Sequence, residues 1–138
     1  MRVHCLLFLI LAISGCGSND PRPKSYQANV VTVGNKVCIL APVESDEYLN
    51  GIEFNSSSGE QKRLRKHFSN DDVESIRVLA GKCIPNFGYD FKSGYDYGVL
   101  VETYSKERLK QGEHPVGRNY IASFSLSSNQ GKLVITPN

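Results

Sequence analysis

Few residues of this 138-residue chain belong to the types that carry out catalysis or bind metals. Beyond the apolar N-terminal stretch, the histidines are His67 and His114, and each lies among charged residues typical of a solvated surface. Asp71 and Asp72 form an acidic pair typical of turns, although two carboxylates could also hold a metal. No nucleophile elbow, His-Glu-x-x-His helix, phosphate-binding loop or calcium-binding loop occurs in the sequence. We therefore expect no catalytic residues, no bound metal, no cofactor and no enzymatic activity.

The charge balance bears on the class of partner. The chain carries 16 Lys and Arg residues against 14 Asp and Glu residues, a net charge of +2. Proteins that bind nucleic acids usually carry a strong basic excess, so we expect no nucleic-acid partner. Hydrophobic residues make up 40% and charged residues 22%, which is ordinary for one folded domain. No feature of the sequence points to a small-molecule substrate.

Two groups of residues are candidates for binding a partner protein. Residues 62–67, with the sequence KRLRKH, place four Lys and Arg side chains on one predicted strand. Such cations either protect a sheet edge from aggregation or form a positive face for an acidic partner. Two tyrosines either pack in the core or lie at an exposed rim, where tyrosine is favoured in interfaces. The candidate partner-binding residues are Lys62, Arg63, Arg65, Lys66, Tyr89 and Tyr104.

The elements that must position these residues are strands, and segment 83–103 shows the clearest pattern. Tyr95, Tyr97, Val99 and Val101 alternate with residues that point the other way, which predicts a strand with one buried face. The proline and glycines before this strand favour a tight corner. A corner that leads into a Tyr-x-Val-x-Val strand resembles the tyrosine corner of immunoglobulin-like sandwiches.

Other short apolar segments between turn residues predict further strands. These segments are 26–33, 36–41, 48–56, 61–68, 73–79, 119–126 and 132–136. An acidic loop, residues 44–47, precedes the segment 48–56. The polar segment 105–117 predicts a long exposed loop, with one helical turn as an option. About eight short strands without a convincing helix predict an all-β fold, namely a single antiparallel β-sandwich of the immunoglobulin-like or fibronectin-III-like class. A small barrel is the alternative.

The first 16 residues are similar to the signal sequence of bacterial lipoproteins. A positive N-terminus precedes an apolar run that is too short to span a membrane and fits a secretory signal peptide. The run ends in Ile13-Ser14-Gly15-Cys16, which resembles a lipobox. The resemblance implies cleavage before Cys16 and attachment of acyl chains to it, which would anchor the chain to a membrane. An ordinary signal peptide with a chance cysteine is the alternative.

The residues after Cys16 extend this resemblance. Residues 16–25 contain two prolines and no apolar side chain to bury, which predicts a lipidated N-terminus with an extended tether. Lipoproteins that stay in the inner membrane tend to carry aspartate after the acylated cysteine, and here that residue is Gly17. The resemblance therefore implies the periplasmic face of the outer membrane. The expected organisation is a signal peptide at 1–15, a tether at 16–25 and a β-sandwich domain at 26–138.

The cysteine count follows from the lipobox resemblance. Of 4 cysteines, Cys5 lies in the expected signal peptide and Cys16 is assigned to lipid, which leaves Cys38 and Cys83. Exported proteins fold in an oxidising compartment, so we predict a disulfide between these two. Buried free thiols and a metal site are the alternatives.

Several segments together resemble a family of small enterobacterial lipoproteins known as type VI secretion immunity periplasmic lipoproteins. The resemblance rests on VCILAP at 37–42, CIPNFGYDFKSG at 83–94, Tyr97-x-Val and SFSL at 123–126. It is least close at 57–72 and 105–117, and it assigns no toxin-contact residues. The resemblance implies a protein that binds and neutralises a toxin delivered by neighbouring cells. A structural or assembly lipoprotein of the envelope without a toxin partner is the alternative.

Overall fold

The computed structural model describes residues 20–44, 46–58, 60, 62–69 and 75–138. The expected signal peptide, the lipidation candidate Cys16 and the pair Asp71 and Asp72 lie outside the described residues. The described residues form eight strands and one short helix. These are β1 (Lys24–Gln27), β2 (Asn29–Val33), β3 (Lys36–Leu40), β4 (Tyr48–Ser56), β5 (Leu64–His67), β6 (Tyr95–Tyr104), α1 (Lys106–Gln111), β7 (Gly117–Asn129) and β8 (Lys132–Pro137).

Of the described strands, six form one open sheet and two form a separate hairpin. The large sheet has the order β1-β7-β6-β4-β5, and β8 also pairs with β7. β6 pairs with residues 117–126 along one side of β7, so β1 and β8 share the other side of β7. There β1 pairs in parallel with residues 118–121, and β8 pairs antiparallel with residues 124–129. β2 and β3 form the antiparallel hairpin.

The hydrophobic core lies between one face of the large sheet and a second layer. Phe54 of β4, Val101 of β6 and Phe124 of β7 are each at most 1% exposed, and they point to this core. Ile39 of β3 and Ile84 of segment 75–94 belong to the same cluster, so the hairpin and that segment form the covering layer. Burying each such side chain contributes about 1.5–3 kcal/mol. The expected all-β, sandwich-like fold is confirmed, with its strands divided six and two.

The alternation predicted for β6 is present. Tyr97, Val99 and Val101 are buried, whereas Asp96, between Tyr95 and Tyr97, is exposed. The predicted strand at 48–56 has the same bounds as β4. In both strands the two-residue period places apolar side chains on one face, which is the face that the second layer covers.

The first predicted strand, 26–33, is divided in the structure. At Ala28 the backbone N–H still donates to the carbonyl of Ile121 in the large sheet, at 2.8 Å. From Asn29 onward the chain pairs with β3 instead. One segment therefore contributes to both layers by switching sheets, as strands at sandwich corners do.

The prediction of a strand at 73–79 is wrong for the part that the structure describes. Residues 75–79 form only an isolated bridge, between Arg77 and Tyr48. On either side of it, Leu49 donates to the carbonyl of Ile76, and Val78 donates to that of Glu47. The pairing with β4 ends after Val78, because the residues that follow lead to Cys83 and its disulfide with Cys38 of the hairpin.

Cys38 and Cys83 form a disulfide across 45 residues of sequence. The bond joins β3 to segment 75–94, and the N–H of Ile84 donates to the carbonyl of Ile39 beside it, at 2.9 Å. The predicted pairing is confirmed, and the alternatives of free thiols and metal ligation are excluded. The two parts of the covering layer are therefore held together covalently.

The segment predicted as a loop at 105–117 contains the helix α1. Ser105 caps its N-terminus, because its hydroxyl accepts a hydrogen bond from the N–H of Arg108. Gly112 ends the helix in the left-handed conformation, with a φ of 65°. The optional helical turn is thus a six-residue helix that follows β6 in the chain.

Candidate functional site

Strand β5 places the basic residues at an edge of the large sheet. It pairs with β4, and no second strand among those described pairs with it. Arg63 and Arg65 form ion pairs with Glu53 of β4, at 2.6 and 3.1 Å. The Glu53 side chain is 11% exposed, whereas those of Arg63 and Arg65 are 59% and 44% exposed. The two guanidinium groups therefore cover a largely buried carboxylate.

The electrostatics of Glu53 follow from these contacts. The hydrogen bond from Arg63 lowers the pKa of Glu53 below its ordinary value, although burial acts in the opposite direction. Arg65 also donates to Nε2 of His67, at 2.9 Å. Both arginines thus have a structural role. Lys62 is exposed, and the Lys66 ammonium lies 5.6 Å from the centre of the Phe87 ring.

A groove, which we call the β5 groove, lies between the start of β5 and segment 88–95. Its volume is about 580 Å³. Three basic residues line it, namely Lys62, Arg63 and Lys92. The acidic residues Glu60 and Asp90 line it as well. Tyr89 forms part of the wall. The groove can therefore present cationic donors to a ligand that enters it.

The Tyr89 side chain also carries an unusual buried hydroxyl. Among the residues that the structure describes, it is the buried side-chain polar atom without a hydrogen-bond partner. Burial, with a smaller effect of Tyr97, raises the pKa of Tyr89, so the group stays a protonated donor. Most buried polar groups in proteins are hydrogen-bonded, so an unpaired one requires an explanation.

A second polar cluster surrounds Glu47, which is only 4% exposed. Its carboxylate accepts hydrogen bonds from the hydroxyls of Thr103 and Tyr120, at 2.7 and 2.8 Å. It also accepts one from the N–H of Glu44 at 2.6 Å, and the Arg118 guanidinium lies 3.6 Å away. These bonds compensate the burial of the charge and tie the start of β4 to β6 and β7. Glu47 therefore has the environment of a structural carboxylate.

The neighbouring residue Asp46 connects the same cluster to α1. Its carboxylate accepts from the N–H of Glu107 at 2.9 Å and from the hydroxyl of Ser105 at 3.0 Å. The bond from Glu107 makes the largest contribution to lowering the pKa of Asp46. A cavity of about 190 Å³ lies between this cluster and α1. The carboxylates around it are already engaged in bonds within the chain.

A family described as a domain of unknown function, DUF7480, matches residues 25–129 of the chain. The chain belongs to the DUF7480 family. No curated protein and no solved structure shows a significant match. The matched residues run from β1 to the end of β7, so the DUF7480 domain contains the disulfide, the β5 groove and the Glu47 cluster.

Two of the candidate binding residues, Tyr89 and Tyr104, are buried in the DUF7480 domain and do not lie at an exposed rim. Tyr89 is 7% exposed and Tyr104 is 2% exposed. The rings pack on other aromatic rings, Tyr89 at 4.9 Å from Phe91 and Tyr104 at 5.8 Å from Tyr48. The exposed-rim interpretation is wrong for both, because packing these rings buries more apolar area than a rim would. Only Tyr89 lines the β5 groove.

The structure therefore brings five of the six candidates together. Lys62, Arg63 and Tyr89 line one groove, and Arg65 and Lys66 lie on the adjoining strand β5. Sequence reasoning did not find Glu47 as a buried residue, because it assigned Glu47 only to an acidic loop. Its partners Thr103 and Tyr120 are 56 and 73 residues away in sequence, so no local pattern signals the burial.

Two further findings concern the described residues of the DUF7480 domain. No three or more His, Cys, Asp or Glu side chains among them group as metal ligands would. None of their helices has the length and apolar character needed to cross a membrane.

Proposed function

We propose that this chain is an immunity lipoprotein that binds a protein toxin and neutralises it by stoichiometric binding. Acyl chains on Cys16 hold it at the periplasmic face of the outer membrane, where a toxin delivered by type VI secretion arrives. The observation that carries the proposal is the basic edge strand β5 beside an open groove. The disulfide between Cys38 and Cys83 supports the exported location, because disulfides persist in oxidising compartments.

The edge position of β5 favours a protein as the partner. A strand that pairs on one side only offers its remaining backbone groups to an extended segment of another chain. The cations beside it would accelerate association with an acidic surface and disfavour a basic one. Because Arg63 and Arg65 are engaged by Glu53, Lys62 and Lys66 are the residues that contribute most to this positive surface.

The experiment that tests the function is a competition between bacterial strains. Deleting the gene sensitises cells to a sibling strain that carries the cognate effector, and expressing the lipoprotein restores resistance. A tethered inhibitor meets its toxin at a high local concentration, which supplements its affinity. Equal survival of the deletion strain against every effector-bearing neighbour would contradict the proposal and favour an assembly role in the envelope.

A charge-reversal variant tests the surface. Lys62→Glu with Lys66→Glu slows toxin association, most strongly at low salt, and weakens protection. The matched control is Lys36→Glu with Lys132→Glu, since both lysines are exposed and lie away from β5. Arg63 and Arg65 are unsuitable because reversing them would leave the largely buried Glu53 without its partners. If Lys62→Glu with Lys66→Glu still gives full protection, β5 is not part of the interface with the toxin.

A further inference from the structure

The start of β1, the loop before β4 and the helix α1 meet at one end of the domain. Lys24 of β1 pairs with Arg118 of β7, and Arg118 forms an ion pair with Glu44 of the loop at 2.7 Å. In the same loop, the Asp46 carboxylate accepts a hydrogen bond from the N–H of Glu107 in α1, at 2.9 Å. The helix therefore lies near the point where the chain enters the sheet.

Residues 76–82 lie at this end as well, since the N–H of Val78 donates to the carbonyl of Glu47 at 2.9 Å. We call residues 24–26, 46–48, 76–82 and 105–118 the tether end. Its exposed apolar side chains are Tyr26, Leu79 and Leu109, which are 39%, 38% and 46% exposed. An exposed lysine lies within three residues of each, and these lysines are Lys24, Lys82 and Lys110. Apolar side chains flanked by lysines are typical of segments that lie on a membrane surface.

The opposite end of the domain has a similar composition. There Val33 and Val134 are 57% and 41% exposed. The Asn35 side chain accepts a hydrogen bond from the N–H of Leu133 at 2.8 Å, which holds the tip of the hairpin beside the turn between β7 and β8. Composition alone therefore does not distinguish the two ends.

The length of the tether distinguishes them. Lys24 follows Cys16 by eight residues, so an extended tether reaches at most about 29 Å. The partner of Lys24, Arg118, precedes Asn129 at the other end of β7 by eleven residues, a distance of about 36 Å along the strand. A chain anchored through Cys16 therefore cannot stand on its far end, whereas the tether end lies within reach of the membrane.

The acidic side chains of the tether end oppose an anionic surface, but contacts within the chain engage them. Glu44 and Glu47 lie 2.7 and 3.6 Å from the Arg118 guanidinium. Glu113 lies 3.9 Å from that of Arg108. The exposed lysines thus determine how this end interacts with lipid phosphates.

We propose that the tether end rests on a phospholipid bilayer, with its apolar side chains among the headgroups and its lysines beside the phosphates. The contact residues are Tyr26, Leu79, Leu109, Lys24, Lys82 and Lys110. The inference rests on the proposed function, because acyl chains on Cys16 provide the anchor. Tyr95 of the β5 groove pairs with Leu126, toward the far end of β7, so the groove stays open to the periplasm.

The test uses the acylated protein in vesicles of phosphatidylethanolamine and phosphatidylglycerol whose acyl chains are brominated near the headgroup. Bromine quenches tryptophan at short range, and the chain contains no tryptophan, so one introduced residue is the sole reporter. Leu109→Trp loses about half of its fluorescence relative to vesicles without bromine, because side chains at the interface lie about 5–10 Å deep. Val33→Trp at the far end is the matched control and keeps its fluorescence.

Two further variants strengthen the test. Adding Lys82→Glu and Lys110→Glu to Leu109→Trp reduces the quenching, most strongly at low salt. Leu79→Trp is a second reporter at the tether end if Leu109→Trp does not fold. Equal quenching at the two ends, or no quenching at the tether end, would overturn the inference.

The outcomes separate the orientation from the function. Acyl chains on Cys16 without quenching of Leu109→Trp would contradict the orientation and leave the immunity function standing. A protein without acyl chains would contradict the orientation together with the lipoprotein assignment, since both require the anchor. A deletion strain that survives attack would contradict the immunity function and leave the quenching unaffected.

Discussion

The Tyr97 hydroxyl forms two hydrogen bonds with the backbone of Lys92: it donates to the carbonyl at 2.8 Å and accepts from the N–H at 2.8 Å. These bonds close the corner that leads into β6. Gly94 completes the corner with a φ of 95°, a conformation that glycine adopts without strain. The same corner positions Lys92 at the β5 groove. The core tyrosine of β6 thus determines where one wall of the candidate binding site lies.

Removing this hydroxyl tests the corner. We expect Tyr97→Phe to lower the free energy of unfolding by about 1 kcal/mol, because two backbone groups lose their partner. Urea denaturation followed by circular dichroism measures the change. Tyr89→Phe is a matched control, since it removes an unpaired hydroxyl from the same aromatic cluster and does not lower stability. Equal effects of the two substitutions would contradict the assigned role of Tyr97.

The fold was predictable where the pattern is local. The alternation of Tyr97, Val99 and Val101 depends on neighbouring residues alone, and so does the turn at Gly34 and Asn35 that joins β2 to β3. The division of the first strand was not predictable. It depends on which sheet each half meets in space, and no residue of the segment marks the change of sheet at Ala28.

The candidate site was predictable only in part. The basic run at 62–67 identified the edge strand, because charged residues mark sheet edges. Glu53 escaped notice since its role depends on ion pairs with Arg63 and Arg65, across a turn whose register the sequence does not reveal. The unpaired state of the Tyr89 hydroxyl is a three-dimensional property that has no signature in sequence.

The disulfide is expected to make a large contribution to stability. On the chain-entropy estimate, closing a loop of 45 residues destabilises the unfolded chain by about 4 kcal/mol. Cys38→Ala with Cys83→Ala therefore lowers the free energy of unfolding by roughly that amount, which thermal denaturation detects. Peptide mapping without reductant joins the two cysteines in protein isolated from cells. Free thiols at both positions in such material would contradict the exported location.

Lipidation is expected at Cys16. Cys16→Ser gives a protein that no longer incorporates labelled fatty acid or partitions into detergent, because the acyl chains supply the membrane affinity. Cys5→Ser is the matched control, since this cysteine lies within the expected signal peptide, and it leaves labelling unchanged. Normal labelling of the Cys16→Ser protein would refute the lipoprotein assignment.

The Glu47 cluster is expected to dominate the stability of the end of the sheet near α1. Glu47→Ala leaves the hydroxyls of Thr103 and Tyr120 without their acceptor and lowers the free energy of unfolding by about 3 kcal/mol. Glu44→Ala is the control, because its side chain is 69% exposed and its pair with Arg118 is screened by solvent. Similar losses in both variants would show that the buried network is not the stronger element.

The ion pairs of Glu53 predict a dependence of stability on pH. Its pKa is lowered in the folded state, so the folded protein binds the proton less tightly than the unfolded chain, whose Glu pKa is about 4.3. The resulting stabilisation is complete above about pH 5, and it is lost as the pH falls through the lowered pKa of the folded state. We therefore expect the unchanged protein to lose this contribution on acidification.

Glu53→Gln isolates this contribution from the other carboxylates. At pH 7 the variant unfolds more easily than the unchanged protein by about 1 kcal/mol, a modest value because Arg63 and Arg65 are partly exposed. As the pH falls below about 4, the difference between the two proteins decreases, since Glu53 itself becomes neutral. Urea titrations at a series of pH values measure the difference, and Glu60→Gln at an exposed position is the control. A difference that stays constant from pH 7 to pH 2 would show that Glu53 stabilises the fold by its shape rather than by its charge.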